Sequence, residues 1–240
     1  MDELKIYVMK EVKITIILAI LSTATMAQSS KEIPLLGDEA PSFVGVSTQG
    51  DINFPKDYGD HWKLILSHPR DFTPVCTSEL LELAYMQDEF KKLGVDIIVV
   101  STDTLFTHKS WIEAMEGIKY KNREPVKIDF PLVDDQSKKI SYKYGMLHEH
   151  VNVTKDVRGV FLVDPDNIIR FIQFYPMEVG RNMNEIKRTI IALQTTETND
   201  VLTPANWEPG DDVLINHFNK ETLAEPDVYQ LAWFMTFKRK

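Results

Sequence analysis

The chain has 240 residues, of which 43% are hydrophobic and 26% charged, and these are the proportions of a folded globular protein. This length suits one domain with a modest appendage. The formal net charge of -9 excludes a general electrostatic attraction to nucleic acid or to anionic lipid headgroups.

The N-terminal segment has the pattern of a secretory signal peptide. A short apolar run, Ile14–Ile20, follows two lysines and precedes small residues, and Thr25–Ala27 fits a cleavage site. A start at Met9 instead of Met1 gives a more orthodox signal. We therefore predict that residues 1–27 direct export to a periplasmic or other extracytoplasmic space. The alternative is a cytoplasmic protein with an N-terminal helix, since the apolar run is short for a transmembrane span.

From Gly37 onward, short apolar runs alternate with amphipathic stretches. Runs such as KLILS and VDIIVVS are typical of buried strands, and apolar residues at helical spacing lie between these two. The sequence DPDN at 164–167 has the residues of a tight turn. The pattern predicts strands at 63–67, 95–101, 130–133, 160–163 and 168–174, and helices at 74–93, 107–115, 137–144 and 182–193. We therefore expect an α/β domain in which helices pack on a central sheet.

The character of the sequence changes after Gln194. Residues 195–212 are rich in Thr, Asn, Asp and Pro, which is typical of a linker or boundary. From Trp207 onward the tail holds six aromatic residues, too many for a disordered end, so we expect it to pack on something. We divide the chain into a domain at 33–195 and a C-terminal extension at 196–240.

Cys76 is the only cysteine of the chain, which excludes an intramolecular disulfide, a CxxC redox pair and a multi-cysteine zinc site. It follows Thr73 and Pro74, which predict a helix start because threonine can cap free backbone N–H groups and proline is tolerated at the first helical position. Cys76 then lies in the first turn, where free N–H groups and the helix dipole favour the reactive thiolate. The alternative is a buried structural cysteine, a common fate of a lone thiol.

The stretch around this cysteine resembles the active site of a known enzyme family. The pattern PxxxTxxC at 69–76 matches the active-site pattern of peroxiredoxins, and SHPRDFTPVCTSEL at 67–80 is similar to their one-cysteine class. The resemblance covers roughly residues 33–215, with further matches at Gly37–Pro41, Asp134 and Asp135, Arg158, Tyr175–Asn182 and Thr203–Trp207. It implies a thioredoxin-like fold, with a central mixed sheet flanked by helices, and a C-terminal extension used in dimerisation.

The resemblance also implies an activity and the residues that perform it. Peroxiredoxins reduce hydrogen peroxide and organic hydroperoxides in antioxidant defence, and here the Cys76 thiolate would attack the peroxide and become a sulfenic acid. The Thr73 hydroxyl and the backbone N–H of Cys76 are suited to hold the peroxide. The resemblance assigns Arg158 as the guanidinium that stabilises the thiolate and the transition state. Pro69 would shield the sulfur from water.

Two further residues complete the predicted substrate site. Arg181 matches a second arginine near the site in this class, and His68 can hydrogen-bond the peroxide or the oxidised sulfur. Each has a plainer interpretation, because Arg181 can serve a salt bridge or interface and His68 can bond a backbone carbonyl. In the same way, Arg158 can be a salt-bridged strand residue and Thr73 no more than a helix cap.

Two other functions compete with a peroxidase. Some one-cysteine members also act as phospholipases, but the serine and histidine they need are replaced here by His61 and Pro55, and of their catalytic residues only Asp166 remains. We therefore predict no phospholipase activity. An oxidation-regulated holdase chaperone is the second alternative, and it differs from a peroxidase in that it can function without Cys76.

We predict neither a cofactor nor a metal, and no nucleic acid partner. His148 and His150 flank Glu149 and have the residue types of a metal site, but two histidines in a polar loop are usually solvated. Because there is no second cysteine, a sulfenic acid needs an external thiol such as glutathione, thioredoxin or a small thiol. The expected partners are peroxide, this reductant and a second copy of the chain, in a homodimer or higher homo-oligomer.

Overall fold

A seven-stranded mixed sheet is the centre of the fold. The computed structural model describes residues 33–215 and 221–240, and Pro34–Lys240 form one compact unit. The strands of this sheet are β1 Phe43–Ser47, β2 Gly50–Phe54, β3 Trp62–Ser67, β4 Val95–Ser101, β5 Leu132–Asp134, β6 Arg158–Val163 and β7 Ile169–Tyr175. Their order is β2-β1-β5-β4-β3-β6-β7. Strands β3, β4 and β5 run parallel, and the remaining neighbours are antiparallel.

Helices cover both faces of the sheet. The α-helices of the described residues are α1 Pro74–Lys92, α2 Leu105–Met115, α3 Lys139–Lys143 and α4 Met183–Asn199. Successive side chains of a strand point to opposite faces, and β3 shows this clearly. Leu64 and Leu66 pack in the core formed with α1, α2 and α4, whereas Ile65 packs in the core on the side of α3. Since both faces are covered, every residue of β3 is buried.

The strand order brings three chain segments to one edge of the sheet. Because β3 and β4 are parallel and joined by α1, the end of β3 lies near the start of α1. Strand β6 is antiparallel to β3, with Leu66 opposite Val160, so the first residue of β6 lies at this same edge. The topology therefore places Cys76, at the start of α1, beside Arg158, at the start of β6.

The predicted elements are present, although several of their ends differ. Helix α2 begins at Leu105 because Thr104 and Thr107 form a reciprocal cap, in which each side chain accepts from the backbone N–H of the other residue. Helix α3 is shorter than predicted, since Lys138 has a left-handed backbone with φ 61°. Helix α4 extends to Asn199, across the predicted boundary at 195–196.

The C-terminal part of the chain forms a second, four-stranded sheet. Its strands are β8 Val201–Leu202, β9 Val213–Ile215, β10 Val228–Ala232 and β11 Met235–Lys238, in the order β10-β11-β9-β8. A small apolar cluster joins this sheet to α4 and consists of Ala192, Val201, Trp207 and Val213, with Ile191 packed against it. The described part of the tail is therefore folded, as its aromatic content predicts, while the domain division itself stays a prediction.

Two predictions concern membranes and export. Within residues 33–215 and 221–240, no helix is long and apolar enough to cross a bilayer. The signal peptide predicted at 1–27 lies outside the described residues.

Candidate active site

Cys76 lies in the first turn of α1, as predicted. Thr73 is the N-cap residue, with an extended backbone, and Pro74 is the first residue of the helix. Backbone N–H groups of the first turn have no acceptor within an α-helix, and the helix dipole adds positive potential there. Both effects stabilise a thiolate at Cys76, whose side chain is completely buried.

The hydroxyl of Thr73 does not cap the helix, which corrects one prediction. It donates to the carbonyl oxygen of Arg70 at 2.9 Å, and it accepts no hydrogen bond from the first turn. A carbonyl three residues earlier is within easy reach of a threonine hydroxyl, so the preceding loop holds this side chain. The N–H of Cys76 is thereby left for a bound oxygen atom, and the lone pairs of the hydroxyl remain able to accept from a peroxide.

Arg158 provides the positive charge at the sulfur. Its Nη1 lies 3.2 Å from Sγ of Cys76 and 2.8 Å from Oε2 of Glu79. Its Nε donates to the carbonyl oxygen of Met177 at 3.1 Å, and its Nη2 donates to the same oxygen. The guanidinium is almost completely buried and fixed from two sides, so its direction toward the sulfur is preset.

Glu79 joins the two arginines of the site. It lies one turn after Cys76 on the same side of α1, and Arg181 donates to its carboxylate from Nε at 3.0 Å and from Nη2 at 2.8 Å. The backbone N–H of Arg181 adds a third bond at 2.7 Å. Burial alone would raise the pKa of Glu79, but the attraction of Arg181, and then of Arg158, outweighs burial and holds this pKa below its usual range.

The charges of this cluster balance when the cysteine is ionised. Two guanidinium groups, Arg158 and Arg181, face the carboxylate of Glu79 and the sulfur of Cys76 in a region closed to solvent. An uncompensated charge in such a place is costly, whereas a paired and hydrogen-bonded set is tolerated. With a neutral thiol the cluster carries one excess positive charge. An anion at the sulfur position therefore has a compensating guanidinium within hydrogen-bond distance.

Arg181 lies near the site and is held in a salt bridge. Besides Glu79, its Nη1 donates to the carbonyl oxygens of Ser67 at 2.9 Å and Gly159 at 2.7 Å, and its side chain is fully buried. These contacts connect Glu79 to the ends of two strands, as the salt-bridge alternative for Arg181 implies, and contact of Arg181 with the peroxide stays a prediction. Pro69 is buried in the loop that leads to α1. That position is consistent with the shielding role predicted for it.

His68 belongs to a buried network with Asp71 and His108. Nε2 of His68 lies 2.8 Å from one oxygen of Asp71, and Nδ1 of His108 lies 2.7 Å from the other. Burial opposes ionisation of Asp71, yet the bonds from His108 and His68 lower its pKa to about 2. Burial lowers the pKa of His68 in spite of the carboxylate, which leaves the ring neutral. Its Nδ1 has no partner among the described residues, and the predicted contact with peroxide or oxidised sulfur depends on this atom.

Among the described residues, the side chains of His68, Asp71 and His108 form the group that is close enough together to hold a metal ion. Their ligand atoms all lie within 4.8 Å of one another. Two direct hydrogen bonds already join them, and these bonds use the atoms that would bind a metal. The other histidines weighed for metal binding are in a separate loop, where the ring of His148 packs against Phe174 at 5.0 Å.

Sequence reasoning missed the residues that hold the predicted ones in place. Glu79 has a signal that could have revealed it, because a carboxylate three residues after a first-turn cysteine lies on the same helix face. Asp71 is adjacent in sequence to the predicted site, but its partner His108 is 37 residues away and on another helix. No local pattern indicates that these two residues meet.

Two family models match the chain. Residues 36–172 match the AhpC/TSA family, and residues 192–221 match the C-terminal domain of 1-Cys peroxiredoxin. Among relatives, a peroxiredoxin of Methanosarcina mazei is 43% identical over 215 residues, which is 86% of this chain and 98% of the relative. A 1-Cys peroxiredoxin of Dictyostelium discoideum is 41% identical over 180 residues, or 75% of this chain and 73% of that protein.

Solved structures agree with these matches. The structure of the yeast mitochondrial 1-Cys peroxiredoxin, studied for thiol resolution via glutathione/thioredoxin systems, matches this chain with a TM-score of 0.78 and 34% sequence identity. The match covers 87% of this chain and 100% of the yeast chain. The structure of a cysteine-to-serine mutant of peroxiredoxin 6 of Arenicola marina matches with a TM-score of 0.76 and 31% sequence identity. This match covers 85% of this chain and 97% of the Arenicola chain.

Fold and site together define an enzyme that places one activated thiol on a thioredoxin-like scaffold, as the resemblance implied. The chain belongs to the peroxiredoxin family, in its one-cysteine class, and is a thiol peroxidase.

Proposed function

We propose that the protein reduces hydrogen peroxide and organic hydroperoxides in antioxidant defence, with Cys76 as nucleophile and an external thiol as reductant. The observation that carries this proposal is the 3.2 Å contact between Nη1 of Arg158 and Sγ of Cys76. A fixed cation and a helix start at one sulfur stabilise both the thiolate and the charge that develops in the transition state.

The oxidising step follows from this geometry. The Cys76 thiolate attacks the terminal oxygen of the peroxide, the O–O bond breaks, and that oxygen stays on sulfur as a sulfenic acid. The departing oxide takes up a proton and leaves as water or an alcohol. Sulfur is oxidised by two electrons and the peroxide is reduced. Thr73 and the N–H of Cys76 hold the peroxide in line with the sulfur, and Arg158 stabilises the negative charge.

The reducing step needs another molecule. A thiol attacks the sulfenic acid, water leaves, and a mixed disulfide forms, which a second thiol reduces to restore Cys76. We propose that glutathione or thioredoxin supplies these thiols. The support is the single cysteine of the chain and the thiol resolution via glutathione/thioredoxin systems studied in the yeast mitochondrial relative.

We also propose that the protein is exported and that it forms a homodimer or higher homo-oligomer. The apolar run at 14–20 and the small residues that follow it support export, and the folded aromatic extension supports association. The native N-terminus tests export by mass spectrometry, because cleavage gives a chain that begins at Gln28. An intact residue 1 or 9 in the mature protein would contradict export.

The central experiment oxidises the reduced protein anaerobically with one equivalent of hydrogen peroxide. Intact-mass analysis and sulfenate trapping should find one oxygen atom on Cys76 within the mixing time, and C76S should show no peroxide turnover. The matched control is C76S/F106C, which carries its one thiol at an exposed position and should react at the rate of an ordinary thiol.

Two outcomes would contradict the proposal. One is oxidation of Cys76 in the folded protein no faster than oxidation of the F106C thiol. The other is suppression of aggregation by C76S as well as by the wild type, in the absence of peroxide turnover, which is the behaviour of a chaperone. Assays with glutathione and with thioredoxin, each as sole reductant, then identify the donor.

A further inference from the structure

Two buried histidines share the carboxylate of Asp71. His68 and His108 have no exposed surface, and Asp71 is 5% exposed. His68 is the first residue after β3, whereas His108 lies in α2, so the carboxylate joins the loop before α1 to a second helix. The backbone N–H of Asp71 donates to Oδ2 of Asp103 at 2.7 Å. The carboxylate is therefore held by its backbone as well as by both rings.

The charge of Asp71 decides where the ring hydrogens lie. Burial opposes ionisation, but the bonds from His108 and His68 hold the pKa of Asp71 at about 2, so the carboxylate is ionised at neutral pH. An ionised carboxylate only accepts hydrogen bonds. Each nitrogen that faces it, Nε2 of His68 at 2.8 Å and Nδ1 of His108 at 2.7 Å, therefore carries a hydrogen.

The other ring nitrogen of His68 is consequently a pure acceptor. A neutral imidazole carries one hydrogen, and in His68 that hydrogen is on Nε2. A second hydrogen on Nδ1 would create a buried charge, and this nitrogen has no hydrogen-bond partner among the described residues, which makes such a charge costly. Nδ1 therefore keeps a lone pair that can accept a hydrogen bond from a bound molecule.

Trp111 places the ring of His68 beside the turn that carries the sulfur. The rings of these two residues lie 5.1 Å apart, and Nε1 of Trp111 donates to the hydroxyl of Thr77 at 3.2 Å. Thr77 follows Cys76 at the start of α1. In a histidine, Nδ1 is bonded to the ring carbon nearest to the backbone. The acceptor atom of His68 therefore lies close to the end of β3, at the sheet edge where Cys76 and Arg158 meet.

We propose that Asp71 and His108 are positioning residues of the peroxidase reaction. Asp71 holds the hydrogen of His68 on Nε2, and His108 holds Asp71 by its other oxygen. Nδ1 of His68 then accepts a hydrogen bond from the O–H of the bound peroxide. The proposal rests on peroxide reduction by Cys76 and deepens it, because it gives a function to two residues that act only through His68.

The acceptor stays bonded to one hydrogen throughout the oxidising step. A hydroperoxide carries its hydrogen on the terminal oxygen, which is the oxygen that Cys76 attacks. As the S–O bond forms and the O–O bond breaks, this hydrogen remains on the transferred oxygen, and the sulfenic acid S–O–H donates to Nδ1 of His68. The other oxygen leaves as an oxide and takes up a proton. Because the resting thiolate has no hydrogen to donate, the bond contributes only after the peroxide has bound.

The position of the hydrogen on His68 is measured directly by ¹⁵N NMR. The chain has six histidines, so protein labelled only at histidine gives few ring signals, and H68Q identifies those of His68. We expect a protonated Nε2 and an unprotonated Nδ1 in the reduced protein. After one equivalent of hydrogen peroxide, the Nδ1 signal should move in the direction that marks acceptance of a hydrogen bond. C76S is the matched control and should show no movement.

A pair of substitutions at His108 tests the second contact. The amide nitrogen of H108N lies where Nδ1 lies in histidine and can donate to Asp71, whereas H108L has no donor. In stopped-flow measurements, Cys76 of H108N should be oxidised at close to the wild-type rate. H108L should be about 10-fold slower, the effect of one neutral hydrogen bond.

D96N is the control for these substitutions. It breaks another histidine–aspartate pair, between His61 and Asp96 at 2.9 Å, which lies at the surface. Its rate of oxidation by hydrogen peroxide should stay within twofold of the wild type, because this pair does not contact His68 or Asp71.

Three results would overturn the positioning role. One is a hydrogen on Nδ1 of His68 in the reduced, folded protein. Another is equal oxidation rates of H108L and H108N, both with the circular dichroism spectrum of the wild type, which leaves the network a purely structural function. The third is one equivalent of tightly bound zinc in the purified protein, because a metal ion would replace the hydrogens shared with Asp71. NMR of the reduced protein needs no peroxide, so its outcome is separate from that of the peroxidase proposal.

Discussion

At the scale of single residues, Arg158 contacts both negative groups of the site. It lies 3.2 Å from the sulfur of Cys76 and 2.8 Å from the carboxylate of Glu79. Without it, the sulfur would be buried near the Glu79 carboxylate with no guanidinium bonded to the sulfur itself. A buried structural cysteine has no need of such a neighbour, which is why this contact favours the reactive interpretation of Cys76.

Removing the guanidinium should slow the oxidising step. We expect R158M to lower the second-order rate constant for oxidation of Cys76 by about 10²–10³-fold, the usual effect of losing one transition-state donor. Stopped-flow tryptophan fluorescence at several peroxide concentrations measures this rate. R170M is the control, because Arg170 bonds Asp164 and Glu197 away from the sulfur. A rate within twofold of the wild type would contradict the role of Arg158.

The charge of Glu79 should appear in the stability of the protein. Its pKa in the folded state lies below the usual 4.5, so its ionisation stabilises the fold above that pH, and this contribution is lost as the pH falls through the lower folded pKa. E79Q removes the carboxylate that pairs with both buried arginines and should cost about 3–5 kcal/mol at neutral pH, with a smaller loss in acid.

Urea denaturation at neutral and acidic pH measures this difference. E89Q, on the same helix, is the matched control because Glu89 pairs with Lys187 at the surface and should change stability by less than about 1 kcal/mol. Equal losses of unfolding free energy for E79Q and E89Q at neutral pH would show that Glu79 stabilises the fold no more than a surface carboxylate does.

The active-site residues differ in how far sequence could predict them. Cys76, Thr73 and Pro69 form one continuous motif, so both their identity and their proximity are encoded locally. Arg158 was placed by resemblance alone, since 82 residues separate it from the cysteine and only the antiparallel pairing of β6 with β3 brings them together. The direction of the Thr73 hydroxyl could not be predicted, because a cap and a bond to the Arg70 carbonyl use the same side chain.

At the scale of elements, the segment before β6 contains a buried acid without a partner. Asp156 is completely buried, and neither of its carboxylate oxygens has a hydrogen-bond partner among the described residues. The hydroxyl of Ser141 donates to Asp135 instead, at 2.6 Å. Burial is the main cause that raises the pKa of Asp156 to about 8, and the negative charges of Asp135 and Asp103 add to it. Asp156 is therefore mostly protonated at neutral pH.

This acid should make the fold less stable in alkali. The unfolded state ionises Asp156 near pH 3.8 but the folded state only near pH 8, so stability falls as the pH rises between these values and stays low above them. D156N cannot ionise. It should match the wild type near pH 4 and exceed it at neutral pH by on the order of 1–4 kcal/mol.

Thermal unfolding across this pH range measures the effect. The groups that face Asp156 are Asp135, Asp103, Lys155 and Ser141. The control is D166N, in the exposed turn between β6 and β7, which should leave the pH profile unchanged. A constant difference between D156N and the wild type at all pH values would mean that the carboxyl group does not titrate in this range.

Buried elements were easier to predict than edge elements. β4 has the predicted bounds, because a strand covered on both faces is a continuous apolar run. The hairpin of β1 and β2 was not predicted, because both strands are short and partly exposed, so their sequences show no clear alternation of apolar and polar residues. The long α4 continues through the polar residues after Gln194 to Asn199, and its apolar contacts with the extension are made by Ile191 and Ala192.

At the scale of the whole molecule, the nucleophile is closed to solvent. Cys76 has no exposed surface, so a small peroxide must enter a narrow site, and a larger reagent must wait for local opening. We expect a polyethylene glycol maleimide to modify Cys76 at least about 10-fold more slowly than the exposed thiol of C76S/F106C.

Hydrogen peroxide should give the reverse order, with Cys76 the faster thiol. Gel-shift analysis of quenched time points measures the maleimide reaction, and low concentrations of urea should accelerate it at Cys76 before global unfolding. A maleimide rate equal to that of the exposed thiol would show that the sulfur is open in solution.

The balanced charges around the sulfur also bear on the lifetime of the enzyme. Oxidation replaces a thiolate with a neutral sulfenic acid, so the buried site gains one net positive charge and attracts an anion. An incoming thiolate satisfies that attraction and completes the cycle. A second peroxide instead leaves a sulfinate, whose negative charge restores the balance and which thiols do not reduce. The arrangement that activates the sulfur therefore also stabilises its overoxidised form. At high peroxide concentrations, the enzyme stays active only if the reductant reaches Cys76 before a second peroxide does.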